Sequence, residues 1–221
     1  MASKGRFFAM GIALSVSYSG AVLAQDDAAP APAAEACELH VFPTIEGQAQ
    51  NIGFLSAAGG VIGAAVEAAN NEDRNISEAE YLRDALGPRF QVESFQTIDL
   101  PEALALAEGT QVIYETPIAD RNITTRVKTR LTESTAPCYV ELIVTQNLYQ
   151  KKVIYGRSLN NRFIFKDFRN GEEEARLVKG RGGNGLTHFP PETVEEREAA
   201  DADLRQAFLA NFMEYAARFV D

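Results

Sequence analysis

Apolar and polar side chains alternate in several short stretches of this chain, and each such stretch predicts a strand. In CELHVF, Cys37, Leu39 and Val41 alternate with Glu38, His40 and Phe42, and Pro43 ends the run. FQVESFQ (90–96) and QVIYE (111–115) read in the same way. From Asn122 the period is two: Ile123, Thr125, Val127, Thr129 and Leu131 fall on one face, with Thr124, Arg126, Lys128, Arg130 and Thr132 on the other. STAP then turns the chain into CYVELIVTQNLY. A turn near Gln150–Lys152 leads into VIYGRSLNNRFIFKDF, a long strand bent at Gly156. Residues 169–190, charged and rich in glycine, read as a mobile loop.

Helical signals lie between these runs. Ser77 and Glu80 make a capping box, Ile76 and Tyr81 a hydrophobic staple, and Gly87-Pro88 a stop, which predicts a helix over 77–86. Asp99 and Glu102 repeat the box for a second helix closing at Gly109. Leu204, Phe208, Phe212, Tyr215 and Phe219 recur at spacings of three and four, the stripe of an amphipathic C-terminal helix docked on a sheet. The Gly/Ala-rich stretch Ile52–Asn70 is too short and too interrupted to span a bilayer, and reads as a helix packed closely on the sheet. The expected class is α+β: one sheet with an antiparallel meander, helices packed on it, and an amphipathic helix at the end.

The N-terminus changes the picture of where the chain works. Lys4 and Arg6 precede an apolar run from Phe7 to Leu23 that ends in Val22-Leu23-Ala24, the pattern of a secretory signal peptide cleaved after Ala24. QDDAAPAPAAEA (25–36) reads as a flexible tether, leaving 37–221 as a single α+β domain. The expected address is periplasmic or secreted, with no stable membrane span after cleavage. In that oxidising setting the two cysteines, Cys37 and Cys138, are expected to form one disulfide. The rival is a metal site of Cys37, His40, Cys138 and His188, all the cysteines and histidines there are.

Charge narrows the partners. The net charge of −10 becomes more negative once the signal, with two bases and no acid, is removed. Such a chain repels nucleic acid at long range, so nucleic acid is not an expected partner. Against this acidic background, Arg126, Lys128 and Arg130 form a basic row, either an anion- or partner-binding surface with the 171–187 loop or a solvent face paired with residues such as Glu141.

The motifs exclude more than they identify. Gly180, Gly182 and Gly185 fit GxGxxG but lack the strand before and the helix after that a dinucleotide site requires, and no cofactor is expected. Glu172–Glu174 lack the alternating ligands of a calcium loop. Serine-elbow and zinc-protease motifs are absent from the mature chain. There is no tryptophan to build a sugar-stacking cleft.

CELHVFP, APCYVELIV, FIFKDF and HFPP resemble a family of uncharacterised exported alphaproteobacterial proteins, which implies a Gram-negative periplasmic address. The order of elements is similar to the small α/β module of envelope accessory proteins: the curli secretion lipoprotein, the lipoprotein activators of penicillin-binding proteins, and the amino-terminal domain of the Tol-Pal translocation protein. That resemblance implies scaffolding or partner activation. The expectation is therefore a non-enzymatic domain that binds an envelope protein or an anionic envelope polymer. The alternatives are a hydrolase of glycan or lipid working through unrecognised carboxylates, and a metal carrier using the Cys/His set.

Overall fold

A computed structural model describes residues 37–45, 47–52, 81–152 and 154–219. The signal peptide, the tether, the Gly/Ala-rich helix and the capping box at Ser77–Glu80 lie outside the described residues.

The domain is α+β, built on one mixed six-stranded sheet. Five strands follow the order β3-β1-β4-β5-β6, and β2 also pairs with β4. The strands are β1 (Glu38–Phe42), β2 (Gln48–Ile52), β3 (Gln111–Tyr114), β4 (Tyr139–Lys152), β5 (Gly156–Asp167) and β6 (Arg176–Leu186). β4, β5 and β6 form the antiparallel meander. The expectation of a meander holds for these three alone, because β1 runs parallel to both β3 and β4, and β2 runs parallel to β4.

Parallel pairing demands crossovers, and these carry the helices. Between β2 and β3 the chain is helical at 81–85, in α1 (Pro88–Phe95) and in α2 (Leu100–Ala103). α3 (Arg121–Arg126) lies between β3 and β4, and α4 (Arg197–Ala216) follows β6 and runs into a 3-10 turn, Ala217–Phe219.

The sheet is covered on both faces, so β1 and the first half of β4 are buried almost throughout. One face carries Leu39, Val41, Val140, Leu142, Phe163 and Phe165 against Leu204, Phe208, Phe212 and Tyr215 of α4. The predicted stripe of α4 is thus its buried face. The other face carries Phe42, Ile143 and Ile164 under Ile118 and Leu131 of the crossing between β3 and β4. A bulge at Thr145 shifts the register between Val144↔Phe163 and Gln146↔Arg162. Past it, the odd positions Asn147 and Tyr149 join the α4 side. There Asn147, Asn161, Asn211 and Asn184 form a chain of amide hydrogen bonds of 2.6–2.8 Å from the sheet to α4.

Four sequence expectations change. Residues 90–95 are helical: Pro88 starts α1, and Gln91, Ser94 and Phe95 are its buried positions, at helical spacing. Buried polar residues hid that period. Gln91 accepts from Thr44 N (2.9 Å) and donates to Leu86 O (3.2 Å), closing loop groups that would otherwise be orphaned. The second helix opens on its Asp99 cap as expected, but is a single turn that ends at Ala103 rather than at Gly109. The β4–β5 turn comes after Lys152, and Gly156, at φ 71°, opens β5.

The fourth change is the glycine-rich segment, which is a strand. β5 supplies hydrogen bonds along it, and α4 lies on the face that Gly180 and Gly182 leave bare. A Cβ on Gly182 would overlap the Asn211 carbonyl and sit 2.5 Å from Asn211 Cα, so the helix backbone would have to move. Gly182→Ala is expected to cost at least about 1–3 kcal/mol in urea denaturation. Gly185→Ala, which meets only Arg157 O at 3.9 Å, is expected to stay within about 0.5 kcal/mol of the parent.

Candidate functional site: a cationic groove

The segment read as a period-two strand from Asn122 contains α3 and an irregular crossing. Asp120 caps α3 by accepting from Asn122 N at 2.7 Å, and Thr124 is its buried position. It pairs with no strand of the sheet, and β4 already has β1 and β2 on one side and β5 on the other. The segment lies over the face opposite α4, with Leu131 on Phe42, Ile143 and Ile164.

Between α3 and that face runs a groove of about 720 Å³. Arg121, Asn122, Thr125 and Arg126 line it from α3; Thr145, Arg162, Ile164, Lys179 and Arg181 line it from the sheet. Five of its side chains are cations and none is an acid. Arg162 and Arg181 are directly opposed in register, and Lys179 sits two residues along the same strand. Among the described residues, none of the five forms an ion pair; Lys179 Nζ donates only to Thr125 O, at 3.5 Å. Like charges opposed across a strand pair are mutually destabilising. The bulge at Thr145 opens onto this groove, and its hydroxyl donates to Arg162 O at 3.2 Å.

The basic row of the sequence is thereby dispersed. Arg126 faces the groove. Lys128 is an exposed partner of Glu174 at 2.9 Å, a pair of small energetic weight. Arg130 stacks 4.5 Å over the Tyr139 ring and donates to Ser134 O at 2.7 Å, so its charge is spent inside the domain. The loop proposed beside the row is β6, which supplies Lys179 and Arg181 instead. Sequence reasoning missed Arg121, Arg162, Lys179 and Arg181, because their convergence depends on strand register and on α3 lying over the sheet. The one local signal was Arg162 at the head of the apolar run Phe163–Phe165.

Beneath the rest of the crossing lies a polar network. Glu141 and Lys166, both essentially fully buried, approach to 3.0 Å. Glu141 also accepts from Leu131 N (2.6 Å) and from the Tyr139 hydroxyl (2.8 Å), while Lys166 donates to Thr129 O (3.3 Å). Burial pushes the Lys166 ammonium down from its ordinary range, against the opposing pull of Glu141, and pushes the Tyr139 phenol up. These bonds pin residues 129–131 to the sheet, and with them the C-terminal end of α3.

His40, 4% exposed, lies between two carboxylates, Nδ1 2.7 Å from Glu115 and Nε2 3.0 Å from Glu38. The Ser134 hydroxyl donates to Glu38 at 2.5 Å. That bond first, and the His40 bond second, hold the Glu38 carboxyl below the usual carboxylate range.

The cysteines are bonded to each other, Cys37 to Cys138, at a Cα separation of 4.6 Å. The four residues of the metal alternative are not brought together. His188 precedes Phe189, whose ring meets Tyr149 near the far end of β4, about 30 Å of strand from Cys138. Among the described residues no cluster of three His, Cys, Asp or Glu side chains is set to hold a metal ion. Asp203 accepts from the backbone N–H of Thr187, His188 and Phe189 and ties this loop to α4. Among the described residues no helix is long and apolar enough to cross a membrane.

No family model matches the chain, and no curated protein matches it. Two solved structures are similar at low level. One is the hypothetical protein CT253 from Chlamydia trachomatis, at 9% identity and TM-score 0.33, covering 83% of this chain and 95% of that one. The other is an uncharacterised protein at 10% identity and TM-score 0.31, covering 84% of this chain and 90% of that one.

Proposed function

We propose that the chain is an exported accessory domain of the cell envelope that binds an anionic partner, without catalysis of its own, through the groove between α3 and the sheet. One observation carries this reading: an acidic chain gathers five cations around a single groove with no acid among them. Exposed cations in a soluble domain are usually interspersed with acids, and a one-signed cleft with low-dielectric walls concentrates its field on an oppositely charged ligand. The groove's polar groups are guanidinium, ammonium, hydroxyl and amide. They are donors suited to holding an anion, and none is an activated nucleophile or a general base. The signal-peptide pattern supports export, and the disulfide is compatible with an oxidising compartment.

Capture from envelope extracts tests the reading, with the purified domain compared with its Arg162→Glu/Arg181→Glu variant. The parent is expected to retain an anionic component at low salt and to release it as salt rises, while the variant retains none. Equal retention by both proteins would remove the groove from the function.

A further inference from the structure

We infer that the groove takes a ligand carrying two linked phosphoryl groups, as in a diphosphate; this rests on reading the groove as an anion site. Three features of the groove fit phosphoryl chemistry, and the second favours it over carboxylate. The first is charge. A phosphoryl group brings about −1.5 to −2 at neutral pH. A single one leaves most of the five cations unanswered, whereas a linked pair answers more of them within one groove of about 720 Å³.

The second feature is direction. Arg121 and Arg126 reach in from α3, while Arg162, Lys179 and Arg181 reach in from the sheet. A carboxylate offers two oxygens in one plane and satisfies donors from one side. A tetrahedral phosphoryl group presents oxygens to both walls at once. The third is donor type. Four of the five cations are arginines, whose forked N–H groups pair with phosphoryl oxygens two at a time. Arg162 and Arg181, directly opposed across β5 and β6, supply two such forks from paired positions of the sheet.

The same headgroup chemistry occurs on a free diphosphate and on a lipid diphosphate, and the test separates these sources. Calorimetric titration of the purified domain would use inorganic pyrophosphate, orthophosphate and citrate, with flotation on neutral vesicles carrying a lipid diphosphate beside it. Pyrophosphate is expected to bind about tenfold tighter than orthophosphate or citrate, and to weaken with salt. Arg162→Gln and Arg181→Gln, both at exposed positions, are each expected to weaken pyrophosphate binding about tenfold. Lys151→Gln, exposed near the β4–β5 turn, leaves it unchanged. Binding to the doped vesicles as well as to pyrophosphate assigns a lipid source; binding to pyrophosphate alone assigns a free one.

Citrate binding at least as tightly as pyrophosphate would overturn the phosphoryl assignment and leave the anionic-partner reading standing. Failure of every anion to bind would overturn the phosphoryl assignment, and charge-independent capture from extracts would overturn the broader reading as well.

Discussion

Replacing Cys37 and Cys138 together by alanine is expected to lower stability by about 4–5 kcal/mol, read as a fall in the urea midpoint with a steeper slope, because the unfolded chain loses its cross-link. The bond links residues 101 apart, so without it a long loop of the unfolded chain is left open. Its position adds to that entropy. β1 runs parallel to both neighbours, and a parallel pair has no hairpin to hold its ends together. The bridge does that work at the first rung, where Glu38 N donates to Cys138 O at 3.0 Å and Gln111 N donates to Cys37 O at 2.8 Å. The variant should also exchange amide hydrogens faster in β1 and β3 than in the β5–β6 pair. A loss under about 1 kcal/mol would mean that the two-sided burial of β1 positions it without the bridge.

Lys166→Met is expected to cost about 3–5 kcal/mol in the same assay, because it strands the Glu141 carboxylate in the interior. The companion variant decides the cause. Glu141→Gln with Lys166→Met removes both charges and keeps an amide oxygen to accept from Leu131 N and the Tyr139 hydroxyl. It should recover more than half of the loss. If the double variant is no better than the single one, the lysine acts through packing and its bond to Thr129 O, not through its charge. The single variant should also weaken anion binding, since residues 129–131 continue directly from α3 and hold one wall of the groove over the sheet.

Much of the framework was written locally. The alternation of CELHVF, QVIYE and CYVELIV marks strands because neighbouring side chains meet different surroundings. The 204–219 stripe marks a helix for the same reason at another period. The Asp99 cap and the pairing of two lone cysteines needed no knowledge of the fold. Periodicity failed where something other than an apolar face set the conformation. In α1 the buried positions Gln91 and Ser94 are polar. At 122–132 the alternation was real, but the segment begins as the capped helix α3 and then crosses a sheet face, with Leu131 packed on it, and pairs with no strand. In β6 the glycines looked like a loop because the groups that justify them, the Tyr215 ring and the Asn211 backbone, lie some thirty residues later on α4.

The groove belongs to that second category. The sequence by itself determined an acidic chain with a signal-like start, a paired cysteine bridge, the strands of the sheet centre and the helix that covers them. Only the tertiary structure decided which cations meet. Charge spacing along a chain reports proximity within one element, whereas Arg121, Arg126, Arg162, Lys179 and Arg181 come from three elements. Their convergence follows from the β5–β6 register and from the buried bonds that hold the crossing segment on the sheet, and long-range hydrogen bonds and burial set both.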